Sequence, residues 1–244
     1  MHRERSLKIL TWNVRASMTP RVLEAVGADD SIDVLVLTEY RVPRAGDLIA
    51  QRLIEAGWVH QARGEIPVGK KGVAIYSRCP ITPSPELLDD NGALSQWLVP
   101  VSFPLQRLSL VGAYVPYPDG SPKEVIWQTL HRSAQRNHAE SLLILGDFNS
   151  CYPHEADSRI GYTTHALETM ERHAVDLWRA YGGESLPRDH ITWEGPNGKG
   201  NRLDFAFGTP ALTGRVREAR HLHTFRLGKA SDHSGVMVRI AGVR

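Results

Sequence analysis

The chain has 244 residues, of which 41% are hydrophobic and 23% are charged, a composition typical of a globular protein with enough chain for a large core. Its formal net charge of +2 is too small by itself to indicate a nucleic-acid partner. Cys79 and Cys151 do not make a disulfide framework. There is no run of about 18 apolar residues for a membrane span and no apolar segment with a cleavage site. We therefore expect a reduced, cytoplasmic setting and no membrane partner.

Apolar runs typical of strands recur along the whole chain, and stretches with helical periodicity lie between them. The predicted strands are 7–13, 33–39, 72–77, 96–103, 108–115, 142–147, 203–208, 218–224 and 234–240. The predicted helices are 19–28, 45–56, 121–137 and 164–180, the last with a break near His173. No linker, repeat or low-complexity tract interrupts this alternation, which predicts one α/β domain over residues 1–244.

The most informative segment is SLLILGDFNS, residues 141–150, because a buried strand ends there in polar groups. Gly146 lets the backbone turn tightly after the apolar run. Asp147 and Asn149 are two residues apart and point the same way, while Phe148 points toward the core. Ligand chemistry in α/β proteins tends to lie at such a carboxyl end of a strand, although Asp and Asn also serve as turn formers.

Five other strands also deliver polar side chains to their ends: Asn13, Glu39, Tyr114, Asp204 and the pair Asp232–His233. Each has an ordinary structural alternative. Glu39 can face solvent, Asp204 can pair with Arg202 as a surface ion pair, and a lone histidine is commonly structural. Unrelated structural causes seldom place so many polar side chains at strand ends in one chain. The set as a whole therefore indicates a functional site.

The set suits hydrolysis of a phosphodiester, which requires neutralised phosphate oxygens, an activated water and a protected leaving oxygen. Glu39 can hold a hard divalent ion, since Mg²⁺ prefers one or two carboxylates with water and substrate phosphate. Such an ion polarises a phosphoryl oxygen. Asp147 is the candidate base for the water, a role worth about 10²–10⁴-fold in rate.

The phosphate itself needs positive charge and hydrogen-bond donors. His233 supplies an imidazolium if a carboxylate such as Asp204 stabilises its charge. Neutral hydrogen bonds come from Asn13, Asn149 and Tyr114. The sequence has no serine nucleophile elbow, Walker loop or zinc-type His/Cys spacing that would indicate a different chemistry.

The motifs LTWN, LTE, YVP, GDFN, RLDF and SDH occur in that order over residues 7–240. This series resembles the endonuclease/exonuclease/phosphatase superfamily, which includes exonuclease III-type abasic endonucleases and deoxyribonuclease I. The resemblance implies an α/β fold of four layers, in which two packed mixed β-sheets are flanked by helices. It also implies a requirement for Mg²⁺ or Mn²⁺ and hydrolysis of phosphate esters without a covalent intermediate.

The resemblance also implies a role for each matching residue. The metal site would use Glu39 as principal ligand, with Asn13 and Asp232 nearby. The catalytic residues would be Asp147 for the water, Asn149 for the transition state, Asp204 with its hydrogen-bonded His233, and Tyr114, which matches the phosphate-contacting tyrosine of the abasic-endonuclease branch.

Several positions depart from the abasic endonucleases. Arg15 stands where they have a second acid or amide, Tyr117 stands where their YxPN motif has Asn, and the loop between Trp193 and Asp204 is short. These departures argue against a standard abasic-site enzyme and leave the exact substrate open. The candidate substrate-binding residues are Arg15, Lys71, Trp193 and Arg202.

The segment 196–229 carries seven Lys or Arg against two Asp or Glu, a net charge of +5 that suits a polyanion or a merely solvated surface. The leading hypothesis is a metal-dependent phosphodiesterase that acts on nucleic acid, with DNA slightly favoured over RNA. The alternatives are a hydrolase of a small-molecule or lipid-headgroup phosphate ester and a non-catalytic nucleic-acid binder. No protein partner is inferred.

Overall fold

Two six-stranded sheets dominate the computed structural model, which describes residues 6–16, 24–25, 29, 31–42, 45–117, 121–157, 163–182 and 187–242. Most of the predicted helix at 19–28 lies outside these residues. The described strands are β1 (Leu7–Asn13), β2 (Val34–Arg41), β3 (His60–Arg63), β4 (Lys71–Ser77), β5 (Thr82–Pro83), β6 (Leu98–Phe103), β7 (Leu108–Tyr114), β8 (Leu142–Asp147), β9 (Val175–Asp176), β10 (Trp193–Glu194), β11 (Gly200–Asn201), β12 (Asp204–Gly208), β13 (Val216–Leu222) and β14 (Gly235–Ile240).

The helices lie between these strands in the chain. They are α1 (Ala45–Glu55), α2 (Ser121–Arg136), α3 (Thr164–Met170), α4 (Leu177–Tyr181), α5 (Pro210–Thr213) and α6 (Thr224–Leu227). Among the described helices, none combines the length and the apolar character needed to cross a membrane.

Each sheet is mixed and contains a parallel pair at its centre. The first sheet has the order β13-β14-β1-β2-β4-β3 and the second has the order β5-β6-β7-β8-β12-β9. The pairs β1–β2 and β7–β8 are parallel, and the other strand pairs are antiparallel. Because parallel strands end at the same edge, the residues that follow them are brought together there.

The two sheets pack face to face and bury an apolar core that includes Ile9, Val36, Val101, Leu110 and Leu145. The outer face of the second sheet is covered by α2 and α3, and the outer face of the first sheet is covered by α1. The expected four-layer sandwich, with two mixed sheets flanked by helices, is confirmed.

Most predicted elements agree with the structure to within two residues at each end, including the strand predicted at 218–224, which is Val216–Leu222. Two elements differ in a way that bears on the site or the layers. The second strand does not end at Glu39 but continues to Arg41 through an irregularity between Leu37 and Tyr40. The predicted helix 164–180 is divided into α3 and α4, with the short strand β9 between them, in agreement with the predicted break near His173. Strands β3, β5 and β9 to β11 were not predicted because none exceeds four residues.

Candidate active site

Strand ends from both sheets meet at one rim of the sandwich. The first sheet contributes Asn13 and Glu39, the second contributes Tyr114, Asp147 and Asp204, and His233 lies just before β14. A cleft at this rim is lined by Arg15, Glu39, Lys71, Tyr114, Tyr117, Asn149, Trp193, Leu203, Asp232 and His233. The structure thus brings the predicted strand-end residues to a single place.

Asp147 ends the buried strand β8 and is only 1% exposed. Its two oxygens accept hydrogen bonds from the Asn13 side chain, at 2.8 Å, and from the backbone N–H of Asn149, at 3.0 Å. Burial raises the pKa of Asp147 to about 7; the charge of His233 opposes this shift, whereas Asp204 adds to it. A carboxylate with a pKa near neutrality suits general-base chemistry.

Hydrogen bonds of its side chain and of its backbone hold Asn149 beside Asp147. Its side-chain Nδ2 donates to the carbonyl of Val115 at 2.9 Å and lies 3.3 Å from Asp147 Oδ2. Its backbone has a φ of 43°, in the left-handed region that non-glycine residues rarely adopt. The buried ammonium of Lys123 donates to the Asn149 carbonyl at 2.7 Å. The sequence did not reveal Lys123, because nothing in a lysine near the start of a predicted helix indicates burial.

His233 and Asp204 form a buried pair, with Nδ1 of the imidazole 2.8 Å from Oδ2 of the carboxylate. Burial alone would lower the pKa of His233, but the charge and hydrogen bond of Asp204, with the charges of Asp147 and Asp232, together outweigh it and raise the pKa to about 9. The imidazole is therefore charged at neutral pH. Its Nε2 lies 3.4 Å from Asn13 Nδ2, which places the ring beside the Asn13–Asp147 pair.

Two hydroxyl groups that the sequence did not single out hold this pair in place. Thr192 Oγ1 accepts from the backbone N–H groups of Leu203 and Asp204, at 2.9 and 3.0 Å. Ser231 Oγ donates to the carbonyl of Asn13 at 2.7 Å and accepts from the N–H of His233 at 3.1 Å. The serine of the SDH motif thus ties β1 to the turn before β14.

Glu39 reaches the cleft because of the irregularity in β2. Its φ of 52° and the register shift against β4 between Leu37 and Tyr40 indicate a β-bulge, which turns the side chain away from the regular alternation. One carboxylate oxygen is 2.5 Å from Lys71 Nζ, and the other accepts from the Tyr114 hydroxyl at 3.4 Å. Burial raises the pKa of Tyr114 well above its usual value, and Glu39 adds to the shift, so its hydroxyl remains a donor.

The side chains at this rim fit a hard divalent ion such as Mg²⁺ or Mn²⁺, because the atoms that their carboxylate and amide groups offer as metal ligands are oxygens. Glu39 lines the cleft, and Asp204 Oδ1 is buried with no hydrogen-bond partner among the described residues. Potential ligand atoms of Asp147, Asp204 and His233 also lie within 4.8 Å of one another. Glu39 borders the cleft and is paired there with Lys71 and Tyr114. Asp204 and His233 are bonded to each other in the interior, and the role of Glu39 as principal metal ligand stays a prediction.

The predicted contribution of Asp232 to the metal site stays a prediction. One of its oxygens is 3.2 Å from Arg15 Nε, and the other accepts from Trp193 Nε1 at 3.2 Å. Arg15, Trp193 and Lys71, all predicted substrate-binding residues, line the cleft, with Trp193 half-buried at its wall.

Arg202 requires a correction, because its side chain is fully buried and does not reach the cleft. Its guanidinium makes two hydrogen bonds to Asp176, at 2.6 and 2.7 Å, and one to Glu155 at 3.2 Å. It also lies over the rings of Trp178 and Phe205. The prediction that Arg202 binds substrate is therefore wrong, and so is the alternative that it pairs with Asp204. Arg202 is an interior ion-pair residue.

The basic segment 196–229 does not form one surface. Arg226 and Lys229 line a second pocket, which adjoins the cleft because it shares Arg15 and Asp232 with it. Arg215 instead bonds to the carbonyl groups of Gln106, Arg107 and Ala241 near the opposite end of the first sheet. Only part of the positive charge of segment 196–229 therefore borders the site.

Solved structures with the same fold include a 3′ phosphatase, NExo, from Neisseria bound to product DNA hairpin, at 21% identity, covering 96% of this chain and 99% of that chain, with a TM-score of 0.77. An AP endonuclease from Archaeoglobus fulgidus is similar at 21% identity over 97% and 100%, with a TM-score of 0.75. The 3′-5′ exonuclease NExo from Neisseria meningitidis is similar at 22% identity over 96% and 100%, with a TM-score of 0.74.

No curated protein sequence matches the chain. The sequence model of the Endonuclease/Exonuclease/phosphatase family, however, matches residues 10–233, from within β1 to the histidine of the cleft. With the fold and the rim of acidic, amide and imidazole groups described above, this match establishes the family. The chain belongs to the endonuclease/exonuclease/phosphatase family.

Proposed function

We propose that the protein is a divalent-metal-dependent phosphodiester hydrolase that cleaves nucleic acid, with DNA the favoured substrate, by direct attack of an activated water. The observation that carries the proposal is the buried Asp147, which lies beside Asn149 and next to the charged His233–Asp204 pair. Binding alone needs neither a buried base nor an imidazolium held by a buried carboxylate, which argues against a non-catalytic nucleic-acid binder.

The reaction follows from the protonation states of these residues. Asp147 takes a proton from the attacking water as the water bonds to phosphorus, and the bond to the leaving oxygen breaks. The leaving oxygen keeps the electron pair of that bond and takes up a proton from solvent. Asn13 and the Asn149 backbone fix the carboxylate in position through the hydrogen bonds at 2.8 and 3.0 Å. No covalent intermediate is required, because the water itself is the nucleophile.

Other groups at the same rim neutralise the charge on the phosphate. The imidazolium of His233, stabilised by Asp204, attracts a phosphoryl oxygen, and the Tyr114 hydroxyl lies at the same rim as a donor. Asn149 acts by holding Asp147, because its N–H groups donate to Val115 and Asp147. Glu39 and Asn13 would hold the metal ion. When bound, Mg²⁺ or Mn²⁺ supplies Lewis-acid polarisation of a phosphoryl oxygen.

Nucleic acid is favoured over a small phosphate ester by the charge beside the cleft. Three cations, Arg15, Arg226 and Lys229, line the adjoining pocket. Asp232 pairs with Arg15 and Glu194 pairs with Arg226, so the pocket keeps a net charge of +1, which suits a phosphate that flanks a scissile bond. Similar structures point the same way, since one is bound to a product DNA hairpin and another is an AP endonuclease. Arg15 and Tyr117 still argue against a standard abasic-site enzyme.

The test is cleavage of a matched panel with Mg²⁺ and after chelation: plasmid, single-stranded DNA, abasic duplex, RNA and a small phosphomonoester. We expect metal-dependent cleavage of DNA and a fall of about 10²–10⁴-fold in kcat for Asp147→Asn, which removes the base. The exposed Arg220→Met serves as the control variant. Undiminished activity of Asp147→Asn would contradict the mechanism, and turnover of the phosphomonoester alone would contradict the substrate class.

A further inference from the structure

Lys71 lies directly on the carboxylate that is the best candidate metal ligand. Its Nζ is 2.5 Å from Glu39 Oε2, and the second oxygen of Glu39 faces the Tyr114 hydroxyl at 3.4 Å. Each oxygen of the carboxylate thus already has a partner. An ammonium and a divalent cation compete for the same electrons, so they cannot occupy the same carboxylate lone pairs together.

The backbones that carry these two groups are fixed, so the contact is built into the sheet. Residues on β2 and β4 are paired on both sides of the bulge that displays Glu39, including Tyr40 with Gly72. Gln96 donates to the carbonyl of Lys71 at 2.8 Å, and a Cβ on Gly72 would lie 2.5 Å from the carbonyl oxygen of Gln96. The peptide around Lys71 therefore has no room to shift.

The Lys71 side chain, in contrast, has room to move. Its side chain is 39% exposed, whereas that of Glu39 is 15% exposed, and both border the open cleft. The four-carbon stem of a lysine can carry its charge away from the carboxylate without any change in the backbone. Departure of the ammonium would leave the Glu39 oxygen facing the cleft.

We propose that Lys71 is the resident counter-ion of Glu39, which a divalent metal ion must displace, so that this lysine sets the metal affinity of the site. The proposal rests on the metal site of the proposed function. It gives Lys71 a role different from the predicted contact with substrate: without metal, the lysine neutralises a carboxylate that would otherwise face the other acids of the rim. The cost of its displacement weakens metal binding.

The test is calorimetric titration of metal-free protein with Mn²⁺, without substrate. Lys71→Met keeps most of the stem but removes the charge, and we expect its Kd to be about fivefold lower than that of the unaltered protein, since a partly exposed ion pair is worth up to about 1 kcal/mol. Lys70→Met is the matched control: the neighbouring Lys70 is exposed and does not line the cleft, so its loss should leave the Kd unchanged. Lys71→Gln is a second neutral variant in case Lys71→Met does not fold.

If the Lys71 ammonium and the metal ion compete directly, the effect of Lys71→Met on the Kd must depend on the Glu39 carboxylate. With Glu39→Gln already in place, Lys71→Met should no longer tighten Mn²⁺ binding. An equal or weaker affinity of both neutral variants relative to Lys70→Met would overturn the proposal, and so would the absence of Mn²⁺ binding in every one of these proteins. A protein that shows the expected shift in Kd but cleaves no phosphate ester would contradict the proposed function and leave this inference standing.

Discussion

Asp204 and His233 show how a pair of buried side chains fixes a protonation state. The carboxylate lies 2.8 Å from Nδ1 of the imidazole. Burial lowers the pKa of His233, but the charge and hydrogen bond of Asp204, with the nearby charges of Asp147 and Asp232, raise it to about 9. Asp147, close by, has its pKa raised by burial to about 7. Between these values the base is ionised and the imidazole is charged, which is the state that the proposed reaction requires.

A pH dependence follows from this pair. We expect kcat/KM to rise with pH through about 7, as Asp147 loses its proton, and to fall above about 9, as His233 loses its charge. Asp204→Asn removes the carboxylate that favours the imidazolium, so the pKa of His233 should fall and the decline in activity should begin at a lower pH. A pH profile of both proteins on a diester substrate measures this shift.

A second aspartate–histidine pair supplies the control. Asp189 Oδ1 lies 2.9 Å from Nε2 of His223, and neither residue lines the cleft. Asp189→Asn should leave both limbs of the pH profile in place. An unchanged alkaline limb in Asp204→Asn would show that His233 charge does not control the reaction.

Among the elements, β8 depends on a glycine for its place between β7 and β12. Gly146 has a φ of +155°, and a Cβ at this position would lie 1.8 Å from the carbonyl oxygen of Ala113, its register partner on β7. That oxygen belongs to the backbone of a strand in the sheet, so it cannot move away to relieve the clash. The glycine therefore permits the close approach that sets Asp147 beside Tyr114, with which it is paired.

Gly146→Ala should consequently destabilise the protein by about 1–3 kcal/mol or more, the range for overpacking in a close-packed interior. Urea unfolding followed by circular dichroism measures the change in the free energy of unfolding. Gly214→Ala is the matched control, because a Cβ there has no neighbour within 4 Å and the backbone φ is −60°. Equal stability of the two variants would contradict the steric argument.

The sequence predicts some elements better than others, for physical reasons. Strands β1 and β8 have the predicted bounds because their apolar runs end where polar residues begin. The bulge at Glu39 was not predicted, since it is a shift in register against β4, a strand about 30 residues away whose pairing leaves no local signal. For the same reason the sequence identified Asp204 and His233 but not Thr192, whose hydroxyl holds Asp204 in place.

For the molecule as a whole, Arg202 shows why charge alone is a poor guide to a binding surface. It lies next in sequence to Leu203, a residue of the cleft, yet its side chain is fully buried against Asp176 and Glu155. A pattern of basic residues does not reveal which guanidinium groups fold inward, because their carboxylate partners are 26 and 47 positions away.

Arg202→Met should therefore act on stability and not on substrate affinity. Removal of one partner from a buried ionic network costs about 3–5 kcal/mol, and we expect a value near the lower end because Arg179 still pairs with Glu155 and Asp176. Arg220→Met, which breaks an exposed pair with Glu218, should cost about 0–1 kcal/mol. Thermal unfolding of both variants measures the difference. A raised KM with unchanged stability in Arg202→Met would restore the role in substrate binding.

The order of the strands has a consequence for synthesis on the ribosome. The second sheet is built from the middle of the chain, residues 82–208, whereas β1 of the first sheet pairs with β14, the last strand of the described chain. The first sheet therefore cannot be completed until the final segment, which also carries His233, has been synthesised. A chain released before that point contains Asp147 and Glu39 but lacks His233 and β14, the strand between β13 and β1. The candidate site is therefore complete only when β14 and the residues just before it have been synthesised, so a product truncated before His233 lacks the proposed imidazolium.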